Sequence, residues 1–290
     1  MIGNANLSAE LHALYRALSA AGWEVQLDTQ QVSLWPGRTG GRICWRVPGD
    51  KIETGTLACA IAATGGHGHV DGALAEDVAP LLEALALLGV PVTHTSTGQA
   101  GGNDAASGGG RLTVAGPARP TGGSLRALAT LAPGGLDADW EPGLMALALG
   151  LPGEHTFADA INTGRHGNLI PQLRKLGAVI TETSPTECRL TGPQALTGAT
   201  VQATDIRTGS ALLIAALAAT GSTVVTGLSQ LRRGHTDLPG KLTALGARRP
   251  LHHPGSLLPG CHRGASLRPA GCLSASARPA RSPCLQRSAH

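Results

Sequence analysis

Apolar and polar positions along the chain fall into blocks that change period at regular intervals. Between Trp23 and Leu27 and between Gln31 and Gly37 the residues alternate, the pattern of half-buried strands. The same alternation returns in 91–95 and 111–116, and again in 178–182 and 188–192. Between these pairs lie Ala/Leu-rich stretches with helical spacing. Three of them open on one plan: Asp50-Lys51-Ile52-Glu53-Thr54-Gly55, Ala138-Asp139-Trp140-Glu141-Pro142-Gly143 and Thr204-Asp205-Ile206-Arg207-Thr208-Gly209. Each runs into an apolar helix that stops at a glycine (Gly66, Gly153, Gly221), then a short β-branched segment such as 222–226, then an amphipathic helix ending on Leu-Gly. From Lys51, Asp139 and Asp205 to the closing Gly89, Gly177 and Gly246 the spacings are 38, 38 and 41 residues. So regular a recurrence marks an internal repeat.

The repeating unit is strand–helix–strand–helix–strand–strand. Residues 1–37 carry only its closing half, and the third copy breaks off at Ala247. The glycine after Leu176 suits a left-handed helix terminus, and Arg174 and Lys175 in the last turn suit the helix dipole. The Gly/Ser/Asn-rich stretch 96–110 reads as a flexible hairpin loop.

Composition changes this picture at one end. Residues 248–290 hold seven Arg, six Pro, three of the six Cys and no acidic residue. The formal charge of +4 less those seven leaves residues 1–247 at −3, so nothing in the repeats offers a nucleic-acid face. The tail has neither strand nor helix period and reads as disordered or as the product of a shifted reading frame. No basic-then-apolar leader begins the sequence, and the longest apolar run, Ala211–Ala219, has nine residues, about half a membrane span. A cytoplasmic protein is the expectation. Cys44, Cys59 and Cys188 stand singly in apolar surroundings, as reduced core thiols do. The tail cysteines Cys261, Cys272 and Cys284 lack zinc-ligand spacing, so no metal is expected. Gly108-Gly109-Gly110 precedes neither Lys-Ser/Thr nor a helix, which excludes a P-loop.

The third copy carries the most specific wording. Ala203-Thr204-Asp205-Ile206-Arg207-Thr208-Gly209 leads into an Ala-rich helix. Leu231-Arg232-Arg233-Gly234-His235 then leads to Lys241-Leu242-Thr243-Ala244-Leu245-Gly246-Ala247. This resembles the signature of the enolpyruvyl transferase family, and fits its sugar-nucleotide branch better than its shikimate branch. Pro48-Gly49-Asp50-Lys51 onward and the block from Asp139 through Arg165 to Pro171-Gln172-Leu173 are similar to further motifs of that family. The resemblance covers about residues 10–247.

What the resemblance implies is specific. The fold would be α/β, an inside-out barrel of repeated βαβαββ units with helices inside and sheets outside, one domain being essentially complete. Residues 1–46 would be the closing part of a first domain. Residues 47–247 would be the second, with repeats near 47–125, 126–203 and 204–247. The family's Lys-Asn pair, an Arg-containing loop and its mobile Cys loop belong to the first domain and have no counterpart here, so turnover by this chain alone is not expected. The implied reaction moves the enolpyruvyl group of phosphoenolpyruvate to the 3′-hydroxyl of UDP-N-acetylglucosamine in peptidoglycan synthesis. It needs no cofactor. It requires a base for the alcohol and fixed cations for phosphate and carboxylate, which arginine's planar fork meets. By resemblance Asp139 contacts the sugar hydroxyl and acts as base, while Arg165, Asp205, Arg207 and Arg233 bind substrate.

Plain structural alternatives accompany each residue. Asp139 precedes a helix and could be its N-cap; Asp205 likewise, with Arg207 a first-turn charge. Arg233 could be a solvated loop residue and Lys51 a surface lysine. As alternatives for the whole chain, it could be a non-catalytic fragment binding UDP-sugar, or a shikimate-pathway enolpyruvyl transferase. The partners expected are these small molecules, without nucleic acid or membrane, and a separate chain could supply the missing domain.

Overall fold

A computed structural model describes residues 1–3, 5, 8–29, 31–37, 47–96, 109–119, 123–130 and 135–247. The first group comprises β1 (Ile2–Gly3), α1 (Ala9–Ala20), β2 (Glu24–Asp28) and β3 (Gln31–Trp35). Its strands form an antiparallel sheet ordered β1-β3-β2, with α1 leaning on β2. Next come α2 (Lys51–Ala63), β4 (His67–Ala73), α3 (Ala75–Leu87), β5 (Val92–Ser96) and β6 (Gly110–Ala115), whose strands are ordered β4-β6-β5, antiparallel throughout.

The following stretch contains β7 (Arg126–Leu128), α4 (Glu141–Ala148), β8 (Gly153–Ala158), α5 (Arg165–Lys175), β9 (Ile180–Ser184) and β10 (Glu187–Gly192). Its sheet is mixed: β7 runs parallel to β8, and β8-β10-β9 are antiparallel. Last come β11 (Thr200–Gln202), α6 (Ile206–Ala218), β12 (Val224–Thr226), a 3-10 turn (Leu231–Arg233) and α7 (Leu238–Ala244), with β11 and β12 parallel.

Helices α2, α4 and α6 pack on one another at the centre. Every residue of 54–62 in α2 and of 208–215 in α6 is buried, so these helices have no solvent face to show an amphipathic stripe. The sheets present one face inward. Leu112 and Val114 of β6, His155 and Phe157 of β8, and Cys188 and Leu190 of β10 point to the core, alternating with more exposed neighbours.

Small residues let the central helices approach. Gly55 sits mid-helix in α2, where a Cβ would fall 2.5 Å from Trp140 Cδ1, and the indole Nε1–H donates to Lys51 O at 3.0 Å. The glycines that close α3, α5 and α7 take the left-handed conformation, with φ of +74° at Gly89, +93° at Gly177 and +91° at Gly246. Cys59 and Cys188 are free and buried, and burial pushes both thiols up to about 12. No helix among the described residues is long and apolar enough to cross a membrane.

Several sequence expectations fall outside the described residues. These are most of the 96–110 loop, Cys44, and the tail 248–290.

Candidate active site

Three segments converge on Asp139. It lies just before α4, half-buried, and its Oδ1 is 3.0 Å from Nη2 of Arg165, the first residue of α5. Its Oδ2 accepts a hydrogen bond from Nη2 of Arg207, in the first turn of α6. Asp139 is not the helix N-cap: Trp140 takes that position and offers no capping side chain. The carboxylate is therefore spent on arginines and not on α4 backbone amides. Burial pushes its pKa up, but Arg207 and then Arg165 more than offset this and hold it below the ordinary carboxylate value. The same contact raises Arg207 against the opposing effect of burial.

Asp205 does cap its helix. Its Oδ1 accepts from the backbone N–H groups of Arg207 and Thr208, both at 3.0 Å, and Oδ2 accepts from Thr208 Oγ1 at 2.6 Å. Burial raises it, and the Thr208 hydroxyl leads the hydrogen bonds that bring it below its usual value. Asp205 thus fixes the first turn from which Arg207 reaches Asp139. Among the described residues it bonds to neither Asp139 nor Arg165 and acts as a support.

Two supporting residues were not singled out from sequence. Asp159, 1% exposed at the end of β8, places Oδ2 3.2 Å from Arg165 Nη1, while its Oδ1 accepts from the N–H groups of Ile161 and Asn162. Arg165 also donates to Ala138 O. Asp137 accepts the Asp139 N–H at 2.9 Å and pairs with Lys51 Nζ at 2.8 Å. Short polar residues at a strand end and in a turn were the only local hints of these roles.

Lys51 is not a surface lysine. Its side chain is 12% exposed, pairs also with Glu10 of α1 at 3.0 Å, and lies 5.9 Å from the Trp140 ring centroid. Burial lowers its pKa, but Asp137 and then Glu10 raise it further, so the ammonium is retained.

Arg233 is not brought into the Asp139 cluster. It is exposed at the end of the 3-10 turn, with Nη1 3.3 Å from Gln230 Oε1. The loop itself is close: a Cβ on Gly234 would lie 3.0 Å from Ile206 and 3.7 Å from Arg207 Nη1. Behind it, Lys241 of α7 grips both oxygens of Glu53 at 2.6 Å, and the buried His235 ring lies 3.8 Å from Glu53. This cluster ties the Arg-Gly-His loop to α2.

The arrangement is a carboxylate clamped between two guanidinium groups, with a third arginine on the adjoining loop. It can bind an anion and, once an arginine swings onto that anion, release a carboxylate to accept a proton. Among the described residues no three His, Cys, Asp or Glu side chains form a metal-ligating group.

Fold and site together define a class. The enolpyruvyl transferase NikO from Streptomyces tendae superposes with a TM-score of 0.61 at 23% identity, over 84% of this chain and 54% of that one, so the chain has the enolpyruvyl transferase fold. A family model described as EPSP synthase (3-phosphoshikimate 1-carboxyvinyltransferase) matches residues 161–242. The chain is 33% identical over 248 residues to the UDP-N-acetylglucosamine 1-carboxyvinyltransferase of Coprothermobacter proteolyticus, and 32% identical over 245 residues to that of Novosphingobium aromaticivorans. In sequence and in fold it resembles the enolpyruvyl transferases. These alignments take in 85% and 84% of the chain, which spans about half the length of the curated relatives, 54% and 53%.

Proposed function

We propose that this chain contributes to transfer of the enolpyruvyl group of phosphoenolpyruvate to the 3′-hydroxyl of UDP-N-acetylglucosamine, a step of cell-wall synthesis in the cytoplasm. The reading rests on Asp139 held between Arg165 and Arg207 in a chain whose curated relatives carry that enzyme's name. In it Asp139 receives the sugar hydroxyl as base. Arg165 and Arg207 leave the carboxylate for the incoming carboxylate or phosphate, which restores its basicity at the moment of use. Arg233 closes from the neighbouring loop onto the phosphoenolpyruvate, and Asp205 holds the helix turn that carries Arg207.

Residues 47–247 form, in this reading, one domain of an inside-out α/β barrel built from βαβαββ units, with residues 1–46 the closing part of another. Binding of the UDP-sugar resides here. Turnover needs the remaining half of the relatives' length, and a separate chain could supply it.

The shikimate-pathway reaction is the second reading, favoured by the description of the family model matched at 161–242. Titration calorimetry with UDP-N-acetylglucosamine and with shikimate 3-phosphate separates the two. The first ligand should bind the chain and lose at least tenfold affinity in Asp139→Asn. Binding of shikimate 3-phosphate alone would reverse the assignment, and binding of neither would remove the substrate-binding role. Phosphate release on adding phosphoenolpyruvate and the UDP-sugar should be absent for this chain by itself.

A further inference from the structure

Two residues after Asp139 and one after Arg165 lies a second pair joining the same two helix starts. Glu141, the first residue of α4, and His166, the second of α5, meet at 2.8 Å between Oε1 and Nε2, with side chains 0% and 3% exposed. Among the described residues neither side chain makes another hydrogen bond, and the buried Oε2 and Nδ1 find no partner there. Asp159 and Arg165 act electrostatically on both members of the pair, and Glu141 acts on the Cys188 thiol.

Local helix energetics do not account for this placement. The first turn of α5 contains Arg165 and His166 and no acid, although a helix N-terminus repels cations. The carboxylates opposing those bases come from outside the helix: Asp139 and Glu141 from the start of α4, Asp159 from the end of β8. A buried, singly bonded Glu–His pair is also a poor source of stability compared with an apolar pair of similar volume. Its geometry has a specific consequence, since it sets α4 against α5 within two residues of the contact that clamps Asp139.

We infer that Glu141 and His166 are positioning residues that hold Arg165 in register with Asp139. The functional consequence rests on the substrate role proposed for Asp139 and Arg165; the structural test does not.

The test is the carbon-13 titration of the Asp139 side-chain carboxyl in the full chain, unaltered and with Glu141→Leu/His166→Phe. The double replacement removes the pair as a unit, avoids leaving one polar partner buried alone, and changes little net charge near Asp139. With the pair removed, the Asp139 midpoint should rise by about half a pH unit or more toward the ordinary value. Glu141→Gln, which keeps an acceptor for His166, should leave it near that of the unaltered chain. An unchanged midpoint in the folded double variant would overturn the inference, as would a full rise in Glu141→Gln. UDP-N-acetylglucosamine affinity should fall about tenfold in the double variant. If the unaltered chain binds no UDP-sugar, the proposed function fails while the titration still decides this inference.

Discussion

Asp139 and Arg165, 26 positions apart in the chain, meet at 3.0 Å through one carboxylate oxygen, leaving the other oxygen to Arg207. Such a clamp keeps the carboxylate ionised and the two helix starts together. Replacing Asp139 by Ala leaves Arg207 without its carboxylate and Arg165 with only that of Asp159. Residual exposure brings the loss below the 3–5 kcal/mol of fully buried pairs, to about 2 kcal/mol. Urea unfolding of the variant measures it.

The clamp also dictates an acid response. Because folding lowers the pKa of Asp139, and that of Asp205, their stabilisation is present above the ordinary carboxylate value of about 3.9 and is lost as pH falls through the lower folded values. Stability against pH should drop more gently below that point in Asp139→Asn than in the unaltered chain. His166 behaves in the opposite sense. Burial lowers its pKa but Glu141 raises it further, so its contribution is complete below about 6.5 and declines as pH rises through the raised value. Removing the pair as a unit, in Glu141→Leu/His166→Phe, should abolish that decline.

Asp205 should be separable from Asp139 by its backbone bonds. Asp205→Ala removes the acceptor of two amide N–H groups at the start of α6 and should cost about 1–2 kcal/mol, whereas Asp205→Asn should retain most of the cap. Thermal unfolding of both variants checks this. Loss of UDP-sugar binding in the Ala variant would follow from the displaced Arg207.

Gly55→Ala offers a test in which helix propensity and packing oppose each other. Alanine is the better helix former by about 1 kcal/mol. The added methyl would sit 2.5 Å from Trp140, which is anchored through its indole nitrogen to Lys51. Overpacking should win, with a net loss of about 1–3 kcal/mol. A gain in stability on denaturation would show that Trp140 moves freely, contrary to this packing.

Lys51 connects α1 to the turn that carries Asp139. Lys51→Met keeps the aliphatic stem and removes the charge. Amide hydrogen exchange should then quicken in α1 and at Asp139 while α5 stays protected. Uniform quickening across all helices would mean that the bridge is a general stabiliser and not a local tie.

The periodic patterns were sufficient for the helices and strands because they are local. Strands β2, β3, β5, β6, β9 and β10 lie within a residue or two of the alternating blocks, and the closing glycines adopt positive φ where only glycine does so at little cost. Candidate residues were legible only through motif resemblance, since Asp50, Asp139 and Asp205 open their helices in similar wording. Sequence could not say that Asp50 and Asp205 cap their helices while Asp139 does not. That depends on which side chain has a guanidinium within reach.

The sequence by itself determined the order of the elements and the short roster of charged residues, through spacing and wording that need no third dimension. Only the tertiary structure decided which charges meet. Arg165 and Arg207 reach Asp139 from 26 and 68 residues away, Lys51 bridges two segments, Arg233 stands apart, and Glu141 and His166 pair in the interior. Charge pairing depends on distance and burial, which helix packing sets and local sequence does not encode.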